Sequence, residues 1–86
     1  MYYCYILYSL KLDKYYIGSS SDLEDRLYRH NHSRKGFTAT GQPWELKYYE
    51  CFKSRKEAFN RELNLKKMKD RRYLEALISQ GSSASR

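Results

Sequence analysis

Tyr2-Tyr3-Cys4-Tyr5-Ile6-Leu7-Tyr8-Ser9-Leu10-Lys11-Leu12-Asp13-Lys14-Tyr15-Tyr16-Ile17-Gly18 is the stretch that decides the fold. From Tyr2 to Ser9, apolar or aromatic side chains occupy both parities, as expected for a strand covered on both faces and therefore central in its sheet. Leu10 to Asp13 makes a short hairpin loop, and Lys14 to Gly18 returns as the second strand. If Ser9 opposes Lys14, then Leu7 opposes Tyr16. Tyr5 and Tyr16 become diagonal neighbours on one face, within reach of each other.

Outward from the hairpin, Ser21-Asp22-Leu23-Glu24 reads as a capping box that opens a helix running to about Asn31. Leu23 and Leu27 mark its buried stripe, and Arg26 and His30 fall beside or on that stripe. His32 to Pro43, rich in Ser, Gly and Thr, reads as a loop. Trp44 to Phe52 reads as a third strand, with Trp44, Leu46 and Tyr48 alternating against Glu45 and Lys47. Ser54-Arg55-Lys56-Glu57 is a second capping box; the helix after it turns Ala58, Phe59, Glu62, Leu63 and Leu65 inward by spacing. Asp70 caps a last helix packed through Tyr73, Leu74, Leu77 and Ile78. The expected architecture is α+β, a three-stranded antiparallel sheet flanked by helices in the order β-β-α-β-α-α. It forms one domain over residues 1–80, with 81–86 as a disordered tail.

At 86 residues, the chain is near the lower size limit for a single core without crosslinks. Cys4 and Cys51 have no metal-ligand spacing and read as strand residues in a reducing cytoplasm. No apolar run approaches the ~20 residues that span a bilayer, and the strand-like start has no signal-peptide character, so a soluble, unprocessed chain is expected. Seventeen Lys and Arg stand against ten Asp and Glu, a net charge of +7. Between Lys53 and Arg72, nine basic residues face three acidic ones. Such a segment is either a solvated helical face or a surface for a polyanion. The ten tyrosines add possible hydroxyl and stacking contacts to nucleic acid.

Glu62 on an apolar stripe requires an explanation, because a buried carboxylate is costly unless paired or metal-bound. A salt bridge to a nearby Arg, a side chain that snorkels to solvent, and one Mg²⁺ or Mn²⁺ ion are the three solutions. Arg26 is suited to hold a phosphate and the charge that develops on it, unless Asp22 neutralises it. His30 is suited to protonate a leaving oxygen or position a water. Tyr5 or Tyr16 serves as a base only if cationic neighbours pull a phenol pKa down from about 10.

These residues together resemble the GIY-YIG nuclease domain, in particular small single-domain members similar to the N-terminal nuclease domain of the UvrC repair protein. The resemblance covers about Tyr2 to Ile78. Tyr3-Cys4-Tyr5 stands where the family has GIY, and Tyr16-Ile17-Gly18 matches YIG. Arg26 and His30 follow at the family's spacing, and Ala58-x-x-x-Glu62-x-x-x-Lys66 is similar to its metal-binding helix. Tyr3 and Cys4 replace the first Gly and Ile, Ser19 stands where some active nucleases carry lysine, and no late asparagine follows.

The resemblance implies hydrolysis of DNA through one bound Mg²⁺ or Mn²⁺ ion, with Glu62 as its ligand and Arg26 as the phosphate clamp. It implies Tyr5 and Tyr16 as the pair acting on the water, with the base between them undecided, and His30 as an auxiliary. The capped helices are expected to direct Arg26 and Glu62 toward the face of the two tyrosines. Lys66, Lys67, Lys69, Arg71 and Arg72 are expected to hold DNA, or RNA. Structure-selective binding or a separate targeting protein would select substrates, for instance in repair or recombination. The alternative is a non-catalytic nucleic-acid-binding module with a vestigial site; an interaction domain for an acidic partner is the third reading.

Overall fold

Tyr2–Ser9 forms β1, the middle strand of an antiparallel sheet of order β2-β1-β3. The computed structural model describes residues 1–68 and 70–81. The elements are β2 (Lys14–Ser20), α1 (Leu23–His32), α2 (Phe37–Thr40), β3 (Trp44–Phe52), α3 (Arg55–Met68) and α4 (Arg71–Gly81). The sequence reading of three strands and three longer helices holds, and the loop before Pro43 adds the short α2. Residues 82–86 of the expected tail lie outside the described residues. Among those described, no helix is long and apolar enough to cross a membrane.

The apolar parities of β1 are explained by two cores. Cys4 and Ile6 pack on Leu65 of α3 and Leu74 of α4, joined by Tyr15, Ile17, Tyr48, Phe52, Tyr73, Leu77 and Ile78. Tyr5 and Leu7 pack on Trp44, with Tyr16, Leu23, Leu27, Leu46 and Tyr49 around them. Helix α1 therefore covers one face of the sheet, and α3 with α4 covers the other. Alternate side chains of a strand point to opposite faces, so a central strand between two helical layers must be apolar throughout.

The hairpin register is as expected: Ser9 pairs with Lys14, Leu7 with Tyr16 and Tyr5 with Gly18. Asp13 closes the turn at φ 54°, a left-handed conformation that aspartate tolerates. Its carboxylate accepts hydrogen bonds from the Tyr8 hydroxyl and from Arg71 of α4, each at 2.6 Å. On the other side of β1, a bulge between Ile6 and Leu7 shifts the register against β3, so that Ile6 pairs with Tyr48 and Leu7 with Leu46. The expected alternation breaks there. Tyr48 joins the α3 face, while Trp44, Leu46 and Tyr49 share the α1 face.

Three caps position the helices. Asp22, not Ser21, is the N-cap of α1: its side chain accepts from the Asp25 amide at 3.0 Å, while Ser20 Oγ accepts from the Asp22 amide. Strand β2 runs on through Ser20, so the turn into the helix falls one residue later than the capping box suggests. Ser54 accepts from the Glu57 amide at 3.2 Å as expected, and Asp70 accepts from the Arg72 amide at 2.9 Å. Arg61 of α3 donates two hydrogen bonds to Glu50 of β3, at 2.9 and 3.1 Å, and ties the helix to the sheet.

Helix α3 buries Ala58, Glu62 and Leu65 but leaves Phe59 49% and Leu63 46% exposed. The expectation that Phe59 and Leu63 point inward is thus corrected. The apolar residues of α3 lie on two sides of the helix, and the side carrying Ala58 and Leu65 is the one that meets the sheet.

Candidate active site

Tyr5 is 1% exposed, at the centre of the α1 face. Its phenol lies over Gly18, where a Cβ atom would stand 2.5 Å from the hydroxyl oxygen and 2.7 Å from Cζ. The glycine of the YIG triplet is required by this close approach, because any larger residue would meet the ring. Beside it, His30 Nε2 stands 3.4 Å from the Tyr5 hydroxyl. The His30 ring lies edge-on to Tyr16 at 4.6 Å between centroids. Tyr5, Tyr16 and His30 therefore form one cluster walled by Trp44, 6.0 Å from Tyr16.

Helix α1 presents His30 from inside the layer and Arg26 one turn earlier at its exposed edge. Burial pushes the Tyr5 phenol up to about 12, against the opposing pull of Arg26, and Tyr16 and Glu62 push it the same way as burial. Burial, seconded by the Arg26 charge, holds His30 below its ordinary value, so the imidazole is neutral at pH 7. The lowered phenol that would make Tyr5 a base is not found: desolvation outweighs the guanidinium. Tyr5 also has no open face toward solvent, whereas Tyr16 is partly exposed. Arg26 makes no ion pair among the described residues, and Asp22, its expected neutraliser, is used as the helix cap.

Glu62 enters from the opposite layer, contrary to the expectation that both helices serve the tyrosine face. Ser19 pairs with Cys4 and so shares the α3 side of the sheet, whereas Gly18 pairs with Tyr5 on the α1 side. Ser19 Oγ donates to Glu62 Oε1 at 2.6 Å, and Lys66 Nζ donates to Oε2 at 2.6 Å. The carboxylate is 9% exposed and fully partnered. Neither an arginine nor snorkelling satisfies it. The two halves of the site adjoin across the backbone of Gly18 and Ser19, close enough for Glu62 to raise the Tyr5 pKa.

The expected DNA contacts divide in the structure. Lys66 is engaged by Glu62, and Arg71 by Asp13 and Glu75 at 2.6 and 3.1 Å. Lys67 and Arg72 are exposed and make no ion pair among the described residues; Lys69 lies outside those residues. A groove of about 630 Å³ beside the outer edge of β2 is lined by Lys14, Tyr15, Tyr16, Lys66 and Arg71, and by Asp13, which pairs with Arg71. Ser19, a departure from the family pattern with no expected role, partners Glu62, and its signal is its strand parity, two residues from Ile17 on the α3 face. The reading from sequence also gave no role to Gln42, which donates to the His30 carbonyl at 2.9 Å.

As a metal ligand set, Glu62 offers one carboxylate beside a serine hydroxyl, both hard oxygen donors. No group of three or more His, Cys, Asp or Glu gathers among the described residues. The set fits a single Mg²⁺-like ion that keeps most of its waters and takes further oxygens from a phosphate.

A three-stranded sheet between helical layers, with a YIG glycine under a buried tyrosine and a helix glutamate at its edge, agrees with the fold that the resemblance to GIY-YIG domains implies. The chain belongs to the GIY-YIG family: residues 1–74 match the family model described as the GIY-YIG catalytic domain. Within that family it is similar to UPF0213 proteins. One, from Staphylococcus saprophyticus, is 33% identical over 81 residues, covering 93% of this chain and 96% of that protein. Another, from Bacillus pumilus, is 43% identical over 53 residues, 59% of this chain, and the match spans only 53% of that protein's length. The solution NMR structure of the UPF0213 protein BH0048 from Bacillus halodurans superposes with a TM-score of 0.58 at 30% identity. That match covers 95% of this chain and 87% of the other.

Proposed function

We propose that this protein is a metal-dependent endonuclease that hydrolyses DNA phosphodiester bonds. The observation that carries the reading is the exposed Arg26, which has no ion pair among the described residues and acts on Tyr5 and His30 on one side of Gly18-Ser19, with the Glu62 carboxylate on the other. Family membership supports the same reading.

In this account a phosphate enters at the α1 edge of the site. Arg26 binds its oxygens and stabilises the charge that accumulates on them in the transition state, a contribution typically worth about 10²–10³ in rate for one preorganised donor. Tyr16, the accessible phenol, orients the attacking water. Tyr5 and neutral His30 are positioning residues: their shared contact holds the Tyr16 ring and the backbone at Gly18 in place. Glu62, with Ser19, holds the Mg²⁺ or Mn²⁺ ion. When bound, that ion supplies electrostatic stabilisation to the phosphate and leaving oxygen. Lys67, Arg72 and Lys14 contact the flanking backbone without reading sequence, so substrate choice rests on DNA shape or on a targeting protein, as in a repair or recombination role.

One observation favours the second reading, a nucleic-acid-binding module without turnover: the Glu62 charge is already neutralised by Lys66. Incubation with nicked, branched and single-stranded DNA in Mg²⁺, beside Glu62→Ala, separates the two. Cleavage that depends on Glu62 supports the enzyme. Equal binding by both proteins with no cutting of any substrate supports the module.

A further inference from the structure

The Glu62 carboxylate already has both oxygens engaged, and the two partners differ in kind. Ser19 Oγ is a neutral hydroxyl on a strand, fixed by the sheet. Lys66 Nζ is a full positive charge one helical turn along, on a side chain 47% exposed. We propose that Lys66 is a resident counter-cation, one that a divalent ion must displace from Glu62 Oε2 before the site is loaded. This inference rests on the metal-dependent reading above and extends it with a built-in competitor for the metal.

Several features support the exchange. The Lys66 ammonium lies 2.6 Å from Oε2, and a divalent ion brought to the same oxygen would be repelled by it. The bond that must break is an i,i+4 pair on a half-exposed lysine, a type of contact that contributes little stability and leaves easily. The displaced ammonium has somewhere to go, since Lys66 also borders the 630 Å³ groove along β2, with Lys14 and the paired Asp13 and Arg71. A phosphate lying in that groove draws the lysine away from Glu62, so nucleic acid and metal favour each other's binding. Until a divalent ion displaces it, Lys66 keeps the carboxylate neutralised.

Mn²⁺ binding to the full chain, followed by electron paramagnetic resonance of the free ion, tests this with Lys66→Met, Lys66→Gln and Glu62→Gln beside the wild type. The expected result is tighter binding in both Lys66 variants, by up to about fivefold for loss of one half-exposed ion pair, and loss of binding in Glu62→Gln. In parallel, the Lys66 ammonium signal in ¹⁵N NMR of the wild type moves to its solvent-exposed position as Mg²⁺ is added. This readout needs no variant. Unchanged or weaker binding in the Lys66 variants, or a static ammonium signal during loading, overturns the exchange while leaving Glu62 as the ligand. Binding that survives in Glu62→Gln, or is absent from every protein including the Lys66 variants, overturns the metal site itself and the exchange with it.

Discussion

The hydroxyl of Tyr5 lies against the backbone of Gly18, 2.5 Å from where a Cβ atom would stand. This contact joins the first and second strands at the point where the two halves of the candidate site meet.

Gly18→Ala is therefore expected to destabilise the fold by about 1–3 kcal/mol, the usual cost of overpacking a tight core. The ring carbon Cζ lies 2.7 Å from the same point, so Tyr5→Phe in the Gly18→Ala background restores only part of the loss. Urea unfolding of the four proteins checks this. Full recovery in the double variant would show that the hydroxyl alone is the obstacle.

His30 supplies a pH dependence. Its folded pKa is lowered by burial and by Arg26, so the unfolded chain binds the proton more readily than the folded one. The stability that neutral His30 contributes is present above its ordinary value near 6.5 and is lost as pH falls through the lower folded value, with a slope of at most about 1.4 kcal/mol per pH unit. Chemical denaturation between pH 7.5 and roughly 5 shows this in the wild type, and His30→Gln should flatten that part of the curve. An unchanged slope in the variant would assign the pH dependence to other groups.

Much of this architecture is legible in the residues, and the exceptions share a cause. The hairpin register, the central position of β1 and the caps at Ser54 and Asp70 follow from local pattern and turn chemistry. The layer that Glu62 serves does not, because the side of α3 facing the sheet is set by tertiary contacts distant in sequence, such as Leu65 with Cys4 and Ile6. Phe59 and Leu63 were expected inside for the same reason: spacing along a helix shows which residues share a face but not which of two apolar faces is buried. The bulge between Ile6 and Leu7 likewise has no Gly or Pro to announce it. The places of Arg26 and Tyr16 in the fold follow from spacing, because local helix and hairpin geometry sets them. The role of Ser19 does not, because its partner lies 43 residues ahead.

Arg26→Ala separates function from folding. Its guanidinium is exposed and has no ion pair among the described residues, so the expected change in stability is within about 0.5 kcal/mol. DNA cleavage should fall about 10²-fold or more. A variant that unfolds readily, or that cuts as well as the wild type, would contradict the role of Arg26 as a phosphate clamp.

The two tyrosines should differ in kind. Tyr16→Phe removes the accessible hydroxyl and is expected to reduce cleavage strongly with little change in melting temperature. Tyr5→Phe removes a buried hydroxyl that contacts His30 at 3.4 Å, so the expectation is a stability change of about 1 kcal/mol and a smaller loss of rate. Single-turnover cleavage and thermal melts of both variants check the assignment. The reverse ranking of rates would exchange their roles.

The measurement that bears most directly on the central claim is cleavage of nicked, branched and single-stranded DNA by the wild type and by Glu62→Gln, with Mg²⁺ present and then removed by chelation. The account predicts products from the wild type with metal, and none after chelation or in Glu62→Gln. A wild type that binds these substrates without cutting any of them, or a Glu62→Gln protein that cuts as fast, would contradict it.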